Sequence, residues 1–487
     1  MRTYFFILIL VSLAGLSACY KDEGNYDYHE LNKITITGIA DNYSIQQGDS
    51  LRIFPTLEFS LDQSGDTAKY KYEWAALSGN TRRLLDTTLN YNKRFPLSSG
   101  TWDVYYTVTE KSTGLISRKH FKVAIIRSFV SGWLALCDVN GVARLDMVWV
   151  KDTPRVVNDL LAAASAGYTL TGKPNDVYAN TYLGAASLFV ATSTTTERFD
   201  PSSYVWRKGF DIRNEMLTDE PVGFTAQQMY MRTSGYTFMQ ANDGNLYYCH
   251  AQSGIYFGLA ANVMSGEAFP FKMAPWFALV PDGATAYPMI LYDETKRKFV
   301  RFTLGGANAA EMPTGTLFNF TTGKDLVYME SSRYNTGSIY AVLKDPGAAN
   351  YYLARFVATR TITQNQFTPI AGADIEHATT FAVSPRYGYL FYAAGGKLHE
   401  YDIFSNTSKL MLDFGTKKIN HIRFHNYVAG TNTALREDLV VCVNDPGLPD
   451  ETSGTISTYT VPGANGELVL KNSYSGLGKI KTITYKE

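Results

Sequence analysis

Residues 132–150 read GWLALCDVNGVARLDMVWV, two apolar runs that meet at Asn140-Gly141. Asn-Gly between two strand-like runs is the strongest short signal for a β-hairpin, because both residues tolerate the positive φ angles of a type I′ turn. The pattern therefore predicts one strand over residues 133–138 and a second over residues 142–150.

Hairpins of this kind recur along the chain at intervals of roughly 40–55 residues, a period typical of propeller blades. Four further hairpins are predicted to pair residues 236–241 with 245–248, 389–393 with 397–401, 289–292 with 299–302, and 339–343 with 351–356. The first two of these hairpins share a loose pattern of Tyr-x-Phe, an Ala, a Gly turn and then Leu. The repeat predicts that residues 127–487 form a β-propeller of about seven blades. Its units start near residues 131, 174, 222, 270, 324, 373 and 416. A propeller of eight blades and a pair of further sandwiches are the alternatives.

Residues 33–126 have a different pattern, with strand-like alternation at short spacing and turn clusters between the runs. A span of this length with about seven short strands fits an immunoglobulin-like β-sandwich. Trp74 lies in the middle of a predicted strand, so we expect it at the core. The predicted fold class is all-β, with one helix over residues 156–166, because Pro154 and Gly167 flank an Ala- and Leu-rich segment.

The composition excludes several functional classes. Lys+Arg and Asp+Glu both number 45 in 487 residues, so the chain lacks the cationic excess of a nucleic-acid-binding protein. Seven His and four Cys leave little material for several metal sites or for a disulfide framework. An odd number of thiols remains at Cys137, Cys249 and Cys442 if Cys19 is modified, and we expect them to be buried and unpaired.

The N-terminus carries a targeting signal. Arg2 precedes an apolar run that is too short for a membrane span, and the run ends in Leu16-Ser17-Ala18-Cys19, which resembles a bacterial lipobox. Residues 1–18 are therefore predicted to be a signal peptide, and Cys19 to be the lipidated residue. Residues 19–32 would form a flexible tether, and an ordinary secretory signal is the alternative.

The residues after Cys19 add a second targeting feature. Lys21, Asp22 and Glu23 resemble the surface-export signal of Bacteroidetes lipoproteins, while a solvated polar tether is the alternative interpretation. The resemblance implies a protein anchored in the outer membrane that faces the cell exterior.

The N-terminal segment 19–26, the predicted sandwich and the segment SGWLAL at residues 131–136 together resemble the PKD-like lipoproteins of Bacteroidetes. The glycine-aspartate turn usual in PKD domains is absent after Trp74, so the sandwich is PKD-like. The resemblance implies an accessory role beside a SusC/SusD-like transporter pair that takes up glycans or peptides. It supplies no cofactor and no catalytic residue.

No catalytic motif is apparent in the sequence. It contains no G-x-S-x-G elbow, H-E-x-x-H helix, P-loop or repeated Asp-box. A propeller hydrolase remains an alternative, since its carboxylates could come from separate blades, with Asp138, Asp176 and Glu376 as candidates. His421 and His425 share a strand face, but that spacing places them too far apart for one zinc ion, and Arg423 would repel it. We predict no metal site.

The aromatic excess is the main sign of a binding function. Phe, Trp and Tyr form 14% of the chain, and Tyr and Trp offer rigid contact area for sugars and peptide side chains. Candidates in loop-like segments are Tyr204, Trp206, Trp276 and Tyr334. The sequence thus predicts a non-catalytic, ligand-binding surface lipoprotein; a surface hydrolase and a structural or adhesive module are the alternatives.

Overall fold

The structure is a computed structural model that describes residues 30–46, 49–78, 81–97, 99–126, 129, 131–150, 154–164, 166–180, 187–206, 208–231, 235–250, 256–280, 287–425 and 433–486. The chain folds into two compact units, with the division between Ile125 and Ile126. Within the described residues, no helix has the length and apolar character that a membrane span requires.

The first unit is a β-sandwich of nine described strands in three sheets, ordered β1-β4, β2-β9-β8-β5-β6 and β3-β7. One helical turn, Thr67–Lys69, precedes β5. The strands are β1 Ile34–Thr37, β2 Asn42–Gln46, β3 Ser50–Ile53, β4 Thr56–Phe59, β5 Tyr70–Ser78, β6 Thr81–Asp86, β7 Tyr91–Arg94, β8 Gly100–Glu110 and β9 Ile116–Ile126.

Trp74 lies at the centre of this sandwich, as predicted. Its side chain is 1% exposed and contacts the rings of Tyr91, Tyr106 and Phe121. Its indole Nε1 donates a hydrogen bond of 2.8 Å to the carbonyl oxygen of Thr88, so the polar atom is satisfied. The sandwich is therefore built around a filled centre.

The second unit contains seven sheets in its described part, each forming one blade of a β-propeller. The strands of the first four blades are β10 Gly132–Val139, β11 Val142–Trp149, β12 Arg155–Val157, β13 Pro174–Asn180, β14 Ser187–Thr192, β15 Thr196–Phe199, β16 Ala226–Met231, β17 Thr237–Ala241, β18 Leu246–Cys249, β19 Met289–Asp293, β20 Lys298–Phe302 and β21 Ala310–Glu311. Those of the last three are β22 Asp325–Ser331, β23 Ser338–Lys344, β24 Tyr351–Ala358, β25 Ile362–Pro369, β26 Thr380–Val383, β27 Leu390–Ala394, β28 Lys397–Asp402, β29 Thr407–Asp413, β30 Lys418–Phe424, β31 Asp438–Asn444, β32 Gly454–Thr460 and β33 Val469–Leu477. Short helical turns occur at Ile212–Glu215, Tyr334–Thr336, Ile375–His377 and Thr433–Arg436.

The predicted hairpins and repeat are confirmed. Strands β10 and β11 pair up to Val139 and Val142, and Asn140 and Gly141 have φ angles of 54° and 84°, as a type I′ turn requires. Six of the seven sheets begin within seven residues of the predicted unit starts, whereas the fourth sheet begins at Met289 and not near residue 270. The fold is therefore all-β with a propeller of seven blades.

The last strand, β34 Lys479–Lys486, completes the first blade. It pairs antiparallel with β10, from Gly132 opposite Lys486 to Asp138 opposite Lys479. The first blade therefore takes three strands from the start of the unit and its innermost strand from the end of the chain. This pairing joins the first and last blades and closes the propeller; the repeat pattern did not reveal it.

The predicted helix over residues 156–166 is wrong. Residues Arg155–Val157 form the edge strand β12, and among the described residues of the predicted helix a single turn, Leu160–Ala163, is helical. Two β-branched residues, Val156 and Val157, favour the strand. Asp159 then adopts a left-handed conformation and caps the turn by accepting a hydrogen bond of 3.1 Å from the Ala162 amide.

One strand from each blade lies at the centre of the propeller. These strands are β34, β13, β16, β22, β26 and β30. They lie side by side in that order, except that the fourth blade lies between β16 and β22. In the fourth blade the position is held by the segment from Met273 to Ala278, which bridges to Asp293 and Ile290 of β19. These seven segments surround a central channel.

Candidate binding site in the central channel

The channel contains a cavity of about 530 Å³, lined by all seven innermost segments. Each segment contributes a residue from the corresponding place near its start. We call this set the channel layer, and it consists of Asp176, Gln228, Trp276, Tyr328, Thr380, His421 and Thr482. A volume of this size is typical of a small-molecule site.

β-Bulges position most of this layer. The register shifts between Pro174 and Asp176 in β13, and the same shift occurs in β16, β22, β30 and β34. At each bulge, two residues of the innermost strand oppose one residue of its neighbour, which bends the strand and redirects its side chains. The bulged residues Asn175, Gln227, Asn420 and Lys481 also line the cavity.

Polar side chains in the channel hydrogen-bond to the backbone of the next blade. Asp176 accepts bonds of 2.8 Å from the Met229 amide and 2.9 Å from the Val177 amide. Glu330 accepts from the amide of Val383, in the following blade. These contacts satisfy backbone groups on the free edges of innermost strands, where an unpaired N–H would be costly.

One side of the cavity is aromatic. The ring centroids of Trp276 and Tyr328 are 4.9 Å apart in an edge-to-face contact, and Tyr328 stacks on Phe381 at 5.1 Å. Tyr230 contacts Phe277 at 6.5 Å and extends this surface into the third blade. We call these five residues the aromatic half; they belong to the third to sixth blades.

The opposite side is polar and comes from the seventh, first and second blades. We call Asp176, His421, Arg423, Lys481 and Thr482 the polar half. Arg423 donates a hydrogen bond of 2.5 Å to the Ile483 carbonyl, and Thr482 lies 3.4 Å from an oxygen of Asp176. Lys481 is exposed, while His421 and Arg423 are half-buried.

Burial changes the protonation of the channel groups. It raises the pKa of Asp176 to about 6 and that of Glu330 to about 7, although hydrogen bonds and the Arg423 charge oppose both shifts. Asp176 and Glu330 are half-buried, because one side of each carboxyl group contacts the cavity and protein surrounds the rest. Burial and the nearby Arg423 lower the pKa of His421 to about 3, so its imidazole is neutral near pH 7.

The four aromatic candidates lie in separate places, and Trp276 alone among them lines the cavity. The expectation that Tyr204 is available in a loop is corrected, because its ring is 1% exposed and its hydroxyl donates to the Phe129 carbonyl at 2.7 Å. Trp206 is half-buried, and its Nε1 donates to Glu197 at 2.7 Å. Tyr334 is half-buried and packs against the cluster between the fifth and sixth blades.

The three carboxyl side chains predicted as hydrolase candidates do not lie together in the structure. Asp138 accepts from the Gly141 amide at 2.8 Å and so stabilises the first hairpin. Glu376 lies on an exposed helical turn. Asp176 is in the channel, together with Glu330, which sequence reasoning missed. The sequence does carry a signal for the channel residues: polar residues precede the apolar part of the innermost strands, as in Gln227-Gln228 and Asn420-His421.

The histidines and cysteines show no metal or disulfide arrangement within the described part of the chain. No group of three His, Cys, Asp or Glu side chains there could hold a metal ion. His425 is 4% exposed and packs edge-on against Trp133 and Tyr485. Cys137 and Cys442 are buried thiols and Cys249 is a half-buried one, each without a disulfide. The candidates Cys19, Lys21, Asp22 and Glu23 lie outside the described residues.

Known proteins resemble this chain in part of its sequence or in its fold. Residues 19–174 match the model of the PKD-like family. A quinonprotein alcohol dehydrogenase-like protein from Bacteroides thetaiotaomicron superposes with a TM-score of 0.50 at 10% identity, covering 92% of this chain and 97% of that one. A DUF4784 family protein from Bacteroides caccae matches with a TM-score of 0.31 at 10% identity, covering 93% and 98%. No curated protein matches the chain significantly. The chain thus combines a PKD-like N-terminal region with a propeller-like fold found in a Bacteroides protein.

Proposed function

We propose that this protein is a lipid-anchored recognition protein of the outer cell surface, an accessory component of a SusC/SusD-like uptake system for glycans or peptides. The propeller would bind the ligand without chemical conversion. Lipid at Cys19 would hold the chain at the membrane, and residues 21–23 would direct it outward.

The channel cavity is the observation that carries the binding part of this proposal. It is concave, it joins an aromatic half to a polar half, and its size suits a small ligand. A purely structural or adhesive module would need no such cavity; its expected feature is an exposed apolar patch.

The hydrogen bonds of the channel carboxyl groups favour binding over hydrolysis. A propeller glycosidase needs one carboxyl group to donate a proton and another to attack or to activate water. Both oxygens of Asp176 already accept hydrogen bonds, and Glu330 accepts from Val383 and Tyr328. Their contacts give both groups a structural role between blades. The raised pKa values of Asp176 and Glu330 are the feature that keeps a hydrolase as the second candidate.

Purification from native outer membranes tests the proposed partner. The affinity tag needs a long Gly/Ser linker after the C-terminus, because Lys486 is 4% exposed and pairs with Gly132. We expect a SusC/SusD-like pair to co-purify in mild detergent in stoichiometric amount. The Cys19→Ala variant is expected to leave the membrane fraction and lose the pair, whereas Cys249→Ala, at an unpaired thiol, keeps both.

Recovery of the lipoprotein alone would contradict the transporter role. Release of product from glycan or peptide substrates by the purified protein, abolished in Glu330→Gln, would instead establish the hydrolase. Retention of Cys19→Ala in the membrane would contradict the lipid anchor.

A further inference from the structure

We propose that the channel binds a neutral saccharide, with a sugar face against the aromatic half and its hydroxyl groups toward the polar half. This inference rests on the proposed function, because it names the ligand class of the same cavity. Four features of the channel carry it.

The first feature is the division of the cavity into two chemically different sides. A pyranose ring has an apolar C–H face and a periphery of hydroxyl groups. Trp276, Tyr328 and Phe381 are in continuous ring contact along one side, with centroid separations of 4.9 and 5.1 Å. The half-buried Trp276 supplies most of the accessible area of this side, because Tyr328 and Phe381 are only 5% and 6% exposed. Such a surface buries C–H groups at low entropic cost.

The second feature is the type of polar group that the cavity offers. Gln228 and Asn420 carry amides that can donate and accept, as can the hydroxyl groups of Thr380 and Thr482. The buried Nε2 atom of His421 has no hydrogen-bond partner among the described residues. A sugar hydroxyl both donates and accepts, so it matches groups of this kind.

The third feature is the balance of charge. The cavity contains two carboxyl groups, on Asp176 and Glu330, and two cationic groups, on Arg423 and Lys481. Their charges nearly cancel. A neutral ligand therefore fits this cavity better than a strongly anionic or cationic one.

The fourth feature disfavours a peptide in the channel. Extended peptides commonly bind by adding a strand to a free sheet edge. On the innermost strands, the amides of Met229, Val383 and Ile422 already donate to Asp176, Glu330 and Thr380. These main-chain donors are not available to an added strand.

Binding to defined saccharides tests the inference. The mature chain with Cys19→Ser is titrated calorimetrically with neutral oligosaccharides of glucose, galactose and mannose, and with uronic-acid oligosaccharides of equal length. We expect saturable binding of at least one neutral series. We also expect its affinity to fall about tenfold or more in Trp276→Ala and in Gln228→Ala, a loss of about 1.4 kcal/mol or more.

Two variants separate loss of contact from loss of folding. Trp276→Tyr keeps an aromatic face and is expected to retain most of the affinity. Trp102→Phe, at a half-buried tryptophan of the sandwich, is expected to bind as the unmodified chain does. A cooperative thermal unfolding transition of Trp276→Ala that lies well above the titration temperature would show that the variant is folded during the titration, so that loss of the cavity side chain, and not loss of the fold, causes the weaker binding.

Three outcomes would overturn the inference: no neutral saccharide binds, Trp276→Ala binds as tightly as the unmodified chain, or the uronic-acid series binds tenfold tighter. These outcomes are distinct from failure of the proposed function. Co-purification of a transporter pair without saccharide binding would reject only the saccharide, and saccharide binding without the pair would reject only the transporter role.

Discussion

The sandwich and the propeller each have a tryptophan near the centre, but the two side chains differ in how completely protein surrounds them. Trp74 is 1% exposed, has three aromatic neighbours and satisfies its Nε1 on a backbone carbonyl. Trp276 lies at the corresponding central position of the propeller, but one side of it faces a cavity of about 530 Å³. The same residue type therefore fills the core of one domain and lines a cavity in the other.

Removal of residues 479–487 is expected to have the largest effect on the propeller. Without β34, strand β10 loses one of its two partners, and the interior loses Ile480 and Ile483, both fully buried. We expect the truncated chain to lose the cooperative unfolding transition of the propeller in calorimetry. As a control, Lys481→Ala changes an exposed side chain of the same strand and is expected to alter stability by less than about 0.5 kcal/mol. A truncated propeller that still unfolds cooperatively would contradict closure by β34.

The paired variants Trp74→Ala and Trp276→Ala test the contrast between the two centres. Loss of a fully packed aromatic side chain is expected to destabilise the sandwich by about 3–5 kcal/mol. Loss of the half-buried Trp276 removes its edge-to-face contact with Tyr328 and its packing at the edge of two core clusters, and is expected to destabilise the propeller by about 1–2 kcal/mol. Urea unfolding followed by circular dichroism measures both. Equal losses would mean that the channel is packed as tightly as the sandwich core.

Glu400 offers a comparison with the channel carboxyl groups. It is 2% exposed, neither side-chain oxygen has a hydrogen-bond partner among the described residues, and burial raises its pKa from 4.5 to about 7. Since the folded state holds this proton more tightly than the unfolded state, stability falls as the pH rises from about 4.5 to about 7.

The variant Glu400→Gln removes this ionisation. We expect it to unfold like the unmodified chain at pH 4 and to be more stable, by about 3 kcal/mol, at pH 8. Denaturant titrations at the two pH values measure the difference, and Glu376→Gln, on an exposed turn, is expected to show none. A stability gain that is equal at both pH values would contradict the ionisation argument.

Gly141→Ala, in an exposed hairpin turn, is expected to have the smallest effect. Gly141 has a φ angle of 84° in the hairpin turn between β10 and β11, but a Cβ atom there would meet no neighbour. Strain alone is therefore expected to cost about 1 kcal/mol, measured as a shift in the urea midpoint. A loss above about 3 kcal/mol would place this turn among the structural centres of the propeller.

The sequence predicted what depends on local pattern. Hairpins such as that at Asn140-Gly141 and the recurrence of units could be read from neighbouring residues, and so could the buried position of Trp74. The pairing of β34 with β10 could not, because its alternating apolar residues would fit any strand. The error over residues 156–166 arose because Ala and Leu favour a helix locally, while β11 offered Val156 and Val157 a strand partner.

The candidate site was predicted only in part. Trp276 and Asp176 were named for separate reasons, and nothing in the sequence placed them around one channel. Glu330, Gln228 and Tyr328 were missed because blades distant in the chain bring them together. The polar residues at the bulges were visible, but their common role depends on ring closure.

The most direct test of this account is a crystal structure of the mature chain with the neutral oligosaccharide that binds most tightly in solution. We predict ligand density in the central channel, with a sugar face on Trp276 and hydroxyl groups within hydrogen-bond distance of Gln228 or His421. Density for the saccharide on another surface, with the channel unchanged, would contradict the assignment of the channel as the recognition site.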